Sequence, residues 1–157
     1  MKKQILFGLL LVIGLSLAAG ETYAQKNRKS VSGAEVTGTF RMNFSGKFKG
    51  SYNEIKIQAL GRGRLKVSFE LIYPYIDGYG EMTANMGEAS GFAEIKGDVA
   101  EYNSSEFGDC RIKIKFVRPG VIDVEHETAA GGCGFGMNVS AGGRYRKTSS
   151  AKPKFEF

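Results

Sequence analysis

Tryptophan is absent from the 157 residues, histidine occurs once (His126), and there are only two cysteines and three prolines. These shortages exclude much chemistry. One histidine and two thiols make a poor zinc set, because structural zinc takes four nitrogen, sulfur or carboxylate ligands. No serine or cysteine can be set beside His126 from the order of residues, and a thiol locked in a disulfide is no nucleophile. No nucleophile, base and orienter can be assembled, so the expectation is a non-enzyme that carries no metal and no cofactor. Helical stripes are missing after the first two dozen residues, and only one long apolar run exists, over residues 5–19.

That run follows Lys2 and Lys3 and leads into a small, polar stretch ending at Ala24. A positive start, a short apolar middle and a small-residue exit are the parts of a secretory signal peptide. The run is short for a bilayer span and lacks a basic stop-transfer flank, so no transmembrane anchor is expected after cleavage. Cleavage is expected after Ala24, with Thr22 as the other small residue; the position after Gly20 is the nearby alternative. Residues 1–24 are thus read as a signal peptide, 25–33 as a flexible basic arm, 34–147 as one domain and 148–157 as a basic tail.

Without residues 1–24 the chain keeps 133 residues, the size of one domain, and its net charge falls from +6 to +5 with the loss of Lys2, Lys3 and Glu21. A periplasmic or secreted location is expected, and in an oxidising compartment Cys110 and Cys133 are expected to bond to each other. Closing that loop stabilises the fold by about 3 kcal/mol in the chain-entropy model. The moderate positive charge favours anionic surfaces, although charge balance speaks to association rather than to fold.

From Val36 onward apolar residues recur at every second position. Val36, Gly38, Phe40, Met42 and Phe44 share one face, and Ile55, Ile57 and Ala59 alternate with Glu54, Lys56 and Gln58. After Gly61-Arg62-Gly63-Arg64, the residues Leu65, Val67, Phe69, Leu71 and Tyr73 alternate with Lys66, Ser68 and Glu70. Such alternation marks half-buried antiparallel strands. The first hairpin is expected to place Lys56 opposite Glu70, because the tighter register would set Glu54 against Glu70, a like-charge contact. Residues 74–80 break the pattern and read as an exposed aromatic loop. Ala89, Gly91, Ala93 and Ile95 form a strand with a small-residue face, turned at Gly97-Asp98 into residues 99–103, and 104–109 read as a loop.

The firmest local signal lies between Cys110 and Thr128. Cys110, Ile112, Ile114 and Phe116 face one way, with Arg111, Lys113 and Lys115 opposite. After Arg118-Pro119-Gly120, the residues Ile122, Val124 and His126 take the apolar face, and Asp123, Glu125 and Glu127 the polar one. Folded as a hairpin, the basic residues meet the acidic ones, with Lys113 opposite Glu125 and Ile112 opposite His126. The basic stripe therefore reads as a neutralised strand face, and no specific nucleic-acid partner is expected. Cys133, Phe135, Met137 and Val139 read as one face of a last strand, with a bulge at Gly142-Gly143 before Tyr145. Counting gives seven or eight strands in an all-β, antiparallel up-and-down barrel; a β-sandwich is the alternative.

Several motifs carry bland readings. His126 falls on the apolar face, where a lone histidine is a core residue that points into the barrel. Gly132-Cys133-Gly134-Phe135-Gly136 lacks the helix that a phosphate cradle requires. Gly61-Arg62-Gly63-Arg64 is a hairpin turn. Carboxylates such as Glu81, Glu88, Glu94 and Asp98 would need a defined spatial separation to act as a glycosidase pair. Tyr73, Tyr75, Tyr79 and Met82 crowd one glycine-containing loop, and aromatics on a loop are the better clue, since rigid scaffolds carry recognition on loops. Arg144 and Tyr145 join them as binding candidates.

The stretch 87–147 combines Gly87-Glu88-Ala89, Gly97-Asp98-Val99-Ala100-Glu101-Tyr102, Cys110 with alternating apolar residues, Cys133-Gly134-Phe135-Gly136 and Gly143-Arg144-Tyr145. It resembles a module of small exported bacterial proteins that in some cases accompanies segments related to lysozyme inhibitors. That resemblance implies a calycin- or inhibitor-like barrel and an inhibitor-like role toward a cell-wall hydrolase. The membrane-bound inhibitors carry a Ser-Gly-x-x-Tyr loop; here Ser140-Ala141-Gly142-Gly143-Arg144-Tyr145 has a different spacing, so no inhibitory residue carries over. Lysozymes are usually cationic, and a +5 protein is not steered toward them by net charge.

The expected function is a monomeric, non-enzymatic β-barrel that recognises an extracytoplasmic protein or an anionic cell-surface polymer through its loops. The alternative is a carrier holding a small apolar ligand inside the barrel. Large inward residues such as Phe40, Phe44, Phe69, Phe116 and Phe135 favour a filled core.

Overall fold

The computed structural model describes residues 30–127 and 132–156. The expected signal peptide, most of the expected basic arm, residues 128–131 and Phe157 lie outside the described residues. Eight antiparallel strands close into a barrel in sequence order: β1 (Gly38–Asn43), β2 (Tyr52–Gly61), β3 (Arg64–Ile76), β4 (Met82–Lys96), β5 (Val99–Ser104), β6 (Cys110–Arg118), β7 (Val121–His126) and β8 (Gly143–Ser149). Pairing of β1 with β8 completes the wall. The last strand runs two residues beyond the expected domain end at Lys147.

Alternation explains the interior. Phe40, Ile55, Ile57, Leu65, Val67, Phe69, Ile112, Ile114, Phe116, Ile122 and Tyr145 are all wholly buried. Phe40 and Phe116 meet edge-on across the axis, with ring centres 6.4 Å apart. Burying each side chain of this size stabilises the fold by about 1.5–3 kcal/mol. The axis is filled by the protein's own side chains.

Each end of the barrel has a plug. At one end a single helical turn, α1 (Gly33–Val36), begins where Ser32 Oγ accepts from the amide of Glu35, and buries Val36. Val36 was expected to begin a strand, but the chain spends one turn of helix covering the barrel end before β1 starts. At the other end residues 132–142 fold over the mouth. Cys133 to Val139 within them were expected to form a strand, and they do not. With β8 already beside β7 from Gly143, the closed wall has no place for another strand, and Gly134 and Asn138 turn the chain at positive φ (71° and 63°). Phe135 and Val139 are buried nonetheless, while Met137, expected on the same face, is 76% exposed. No bulge occupies Gly142-Gly143; β8 starts there.

The β6–β7 register is as expected, with Lys113 opposite Glu125, Lys115 opposite Asp123 and Ile112 opposite His126. The ion pairs on its outer face do not simply follow that register: one is diagonal, one is local and one reaches β8. Lys113 Nζ lies 2.6 Å from Glu127, Arg111 pairs with Asp109, and Asp123 is held bidentate by Arg144. Long side chains reach diagonal neighbours as easily as direct ones.

The β2–β3 register departs from expectation: Glu54, not Lys56, stands opposite Glu70. Two features outweigh the like-charge contact. The turn places Arg62 and Gly63 at positive φ (51° and 73°), joining Gly61 directly to Arg64, and a bulge between Ala59 and Gly61 shifts the ladder. The two carboxylates are also separated by cations. Arg41 on β1 binds Glu54 at 2.5 Å, and Lys56 contacts both Glu54 and Glu70.

Candidate functional site

β3 and β4 are the longest strands, and they outrun the barrel. The β2–β3 ladder ends at Glu54 opposite Glu70, whereas β3 stays paired with β4 through Tyr73–Asn85, Pro74–Ala84, Tyr75–Thr83 and Ile76–Met82. The pattern break expected at Pro74 is therefore a strand that has left the wall, and the loop proper shrinks to residues 77–81. Asp77 sets its shape. Asp77 Oδ1 accepts from the amides of Tyr79 and Glu81, both at 2.9 Å, and the Asp77 amide donates to the Glu81 carbonyl at 3.0 Å.

This projecting tip brings together four residues singled out from the sequence. Tyr73, Tyr75 and Met82 are exposed, and Tyr79 is 94% exposed at the apex. The fold adds Ile76, Met86 and Met137, all exposed. Met137 joins because the covering loop is bonded to β4: the Gly136 amide donates to the Met86 carbonyl at 2.9 Å, and Asn85 Nδ2 donates to the Met137 carbonyl at 2.8 Å. The alternation over 133–139 places Met137 on a strand face, and no local pattern shows its neighbourhood with Met86.

Charge on the hairpin opposes that of the chain. Between Lys66 and Lys96 there is no Lys, Arg or His, yet there are five carboxylates: Glu70, Asp77, Glu81, Glu88 and Glu94. A net count over the whole chain hides this segregation, although the cation-free run is visible in the sequence once looked for.

Comparison with protein-family models, with curated proteins and with solved structures finds no match to this chain. The site is therefore read from its own geometry.

The structure does not bring Arg144 and Tyr145 to the tip. Both are on β8; Arg144 is taken by Asp123, and Tyr145 is wholly buried with its hydroxyl donating to the Ala141 carbonyl at 2.9 Å. Burial pushes the Tyr145 phenol well above its usual range. The Arg144 guanidinium holds the Asp123 carboxyl below the ordinary carboxylate value.

Cys110 and Cys133 are bonded, tying the covering loop to the start of β6. His126 sits under that loop. Its Nδ1 is 3.3 Å from Ser140 Oγ, its Nε2 is 3.2 Å from Cys133 Sγ, and its ring lies tilted against that of Phe135. Burial holds the imidazole below its usual value. A serine–histidine contact exists here, but Nε2 faces the disulfide and not a carboxylate that could orient the ring.

Among the described residues no three His, Cys, Asp or Glu side chains are placed to hold a metal ion. The carboxylates are dispersed, with Glu81 in the tip loop just before β4 and Glu94 near the far end of that strand. No described helix is long and apolar enough to cross a membrane.

Proposed function

We propose that this protein is a non-enzymatic binding protein that works outside the cytoplasm and grips a partner protein with the β3–β4 hairpin. The supporting observation is the tip itself. Tyr73, Tyr75, Tyr79 and Met82 stand exposed beyond the barrel wall on a turn fixed by Asp77. Tyrosine supplies large contact area at low entropic cost, and a preformed turn reduces the ordering that binding requires. An oxidised cysteine pair supports export, since disulfides persist in oxidising compartments.

The partner is a basic protein. Asp77 and Glu81 flank the tip aromatics with no cation between Lys66 and Lys96, so the hairpin steers toward positive charge although the chain as a whole is basic. This removes the electrostatic objection to a cationic cell-wall hydrolase as target. It also weighs against an anionic polymer binding at this end. A carrier that holds its ligand along the barrel axis has less support, because Phe40, Phe69, Phe116 and Tyr145 occupy that space.

Affinity capture from periplasmic or culture-fluid extract, with the oxidised protein as bait, tests the proposal. A basic protein retained by the parent and reduced at least tenfold with Tyr79→Ser/Met82→Ser is the expected result. Equal recovery by parent and variant would remove the hairpin from the interaction.

A further inference from the structure

A second feature lies in the wall, apart from the hairpin tip. β4 and β5 pair only from Ala93–Tyr102 to Lys96–Val99, although β5 continues beside β6 to Ser104. Beyond Ala93 the two strands part. Gly91, at φ +154°, lies where they separate, and the Tyr102 ring packs over it. A cleft of about 310 Å3 opens there. Phe69, Ala89, Tyr102 and the Cys110–Cys133 bridge line it, and Glu70, Glu88, Glu106 and Glu156 outnumber Lys56 and Lys154 on its walls.

One side of this cleft is an incompletely paired strand edge. The Ile95 amide donates to the Gly63 carbonyl on the β3 side, so odd-numbered residues of β4 direct their polar backbone groups to β3 and even-numbered ones direct theirs away. Met86, Glu88 and Ser90 therefore face the gap. The Met86 carbonyl accepts from Gly136, and the Ser90 carbonyl accepts from the Tyr102 hydroxyl at 3.2 Å. Between these two bonds, neither the Glu88 amide nor its carbonyl pairs with any described residue. A backbone amide and carbonyl on one residue, facing a cleft, form the docking element for an added strand.

We propose that this cleft takes an extended peptide segment of alternating apolar, basic and apolar residues, added antiparallel to the Glu88 edge of β4. The alternation follows from strand geometry. A residue exchanging both backbone bonds with Glu88 projects its side chain on the same outer face, beside Glu88 and its cross-strand neighbour Glu70. A basic side chain meets complementary charge there. The residues on either side project inward, toward Phe69, Ala89 and Tyr102, where apolar groups fit. The inference does not depend on the hairpin tip, and a short peptide can occupy the cleft whether or not the tip docks on a protein.

The probe is acetyl-Ala-Val-Lys-Val-Ala-amide, titrated into the oxidised full-length protein labelled with nitrogen-15 and followed by amide chemical shifts. The expected result is saturable movement of the Glu88 and Ser90 amides. Replacing the central Lys by Glu, or methylating its backbone nitrogen, should each weaken binding at least tenfold. Glu88→Gln/Glu106→Gln, which leaves the backbone edge intact, should bring the Lys and Glu peptides within about threefold of each other. Ala89→Leu should block binding by filling the floor. Absence of shifts at millimolar peptide, shifts confined to residues 75–82, or equal binding of the N-methyl peptide would each overturn the proposal.

Discussion

Lys147 Nζ donates to the carbonyl of Glu35 at 2.5 Å, across 112 residues of chain. The same ammonium donates to the carbonyls of Ala34 and Thr37 and lies over the Phe40 ring. It thereby caps the end of α1 and fixes that plug to β8. By position Lys147 belonged to a run of basic residues leading into a tail, yet it is a structural pin.

Lys147→Met should therefore destabilise the fold by about 1–3 kcal/mol, the cost of leaving partly buried carbonyls without donors. Urea unfolding measures it. Lys152→Met in the exposed tail is the control and should change stability by less than about 0.5 kcal/mol.

The contact between Glu54 and Glu70 depends on the cations around it. Glu54 is only 6% exposed and is held by Arg41 at 2.5 Å. Arg41→Met should cost about 2–3 kcal/mol, because a buried carboxylate loses its main partner beside a second carboxylate. Adding Glu54→Gln should recover part of the loss, and failure of that recovery in urea titrations would assign the effect to Arg41 packing on Tyr52 instead.

Gly87 lies on the inner face beneath the covering loop, where a β-carbon would approach Phe135 and Val139 to 2.8 Å. Gly87→Val should cost about 1–3 kcal/mol through overpacking and lift the loop. Faster hydrogen exchange at the Gly136 amide, which bonds to Met86, reports the lifting. Phe135→Ala in the same chain should relieve part of the strain.

His126 makes the loop sensitive to acid. Its imidazole, held by burial below the usual value of 6.5, contacts Ser140, Cys133 and Phe135, none of them charged. The unfolded chain then binds the proton more readily than the native one. This contribution is whole above the unfolded value and is lost as pH falls through the native value. The urea midpoint should drop between about pH 7.5 and about pH 5, and His126→Gln should remove that part of the drop.

Legibility followed the range of the interaction. Period-2 alternation revealed the strands because each inward position is decided by burial alone, and the β6–β7 register was readable because a slip of one residue would bury charge. The β2–β3 register was not, because Arg41 on β1 supplies the counter-charge that makes Glu54 opposite Glu70 tolerable. No pairwise comparison of β2 with β3 contains that residue.

The same limit applied to residues 132–142. Phe135 and Val139 alternate as strand residues do, and they are buried as strand residues would be, but the ladder they needed was already occupied by β8. Closure of the barrel is a global condition, and it converts a strand pattern into a plug. The sequence by itself determined the strand faces, the disulfide partners and the aromatic content of the hairpin, all of which rest on local pattern or on having only two cysteines. The tertiary structure alone decided that Tyr145 is core, that Met86 and Met137 adjoin the tip, and that β4 keeps an edge at Glu88 unpaired among the described residues. Each of these depends on where distant strands end relative to one another, which no local periodicity encodes.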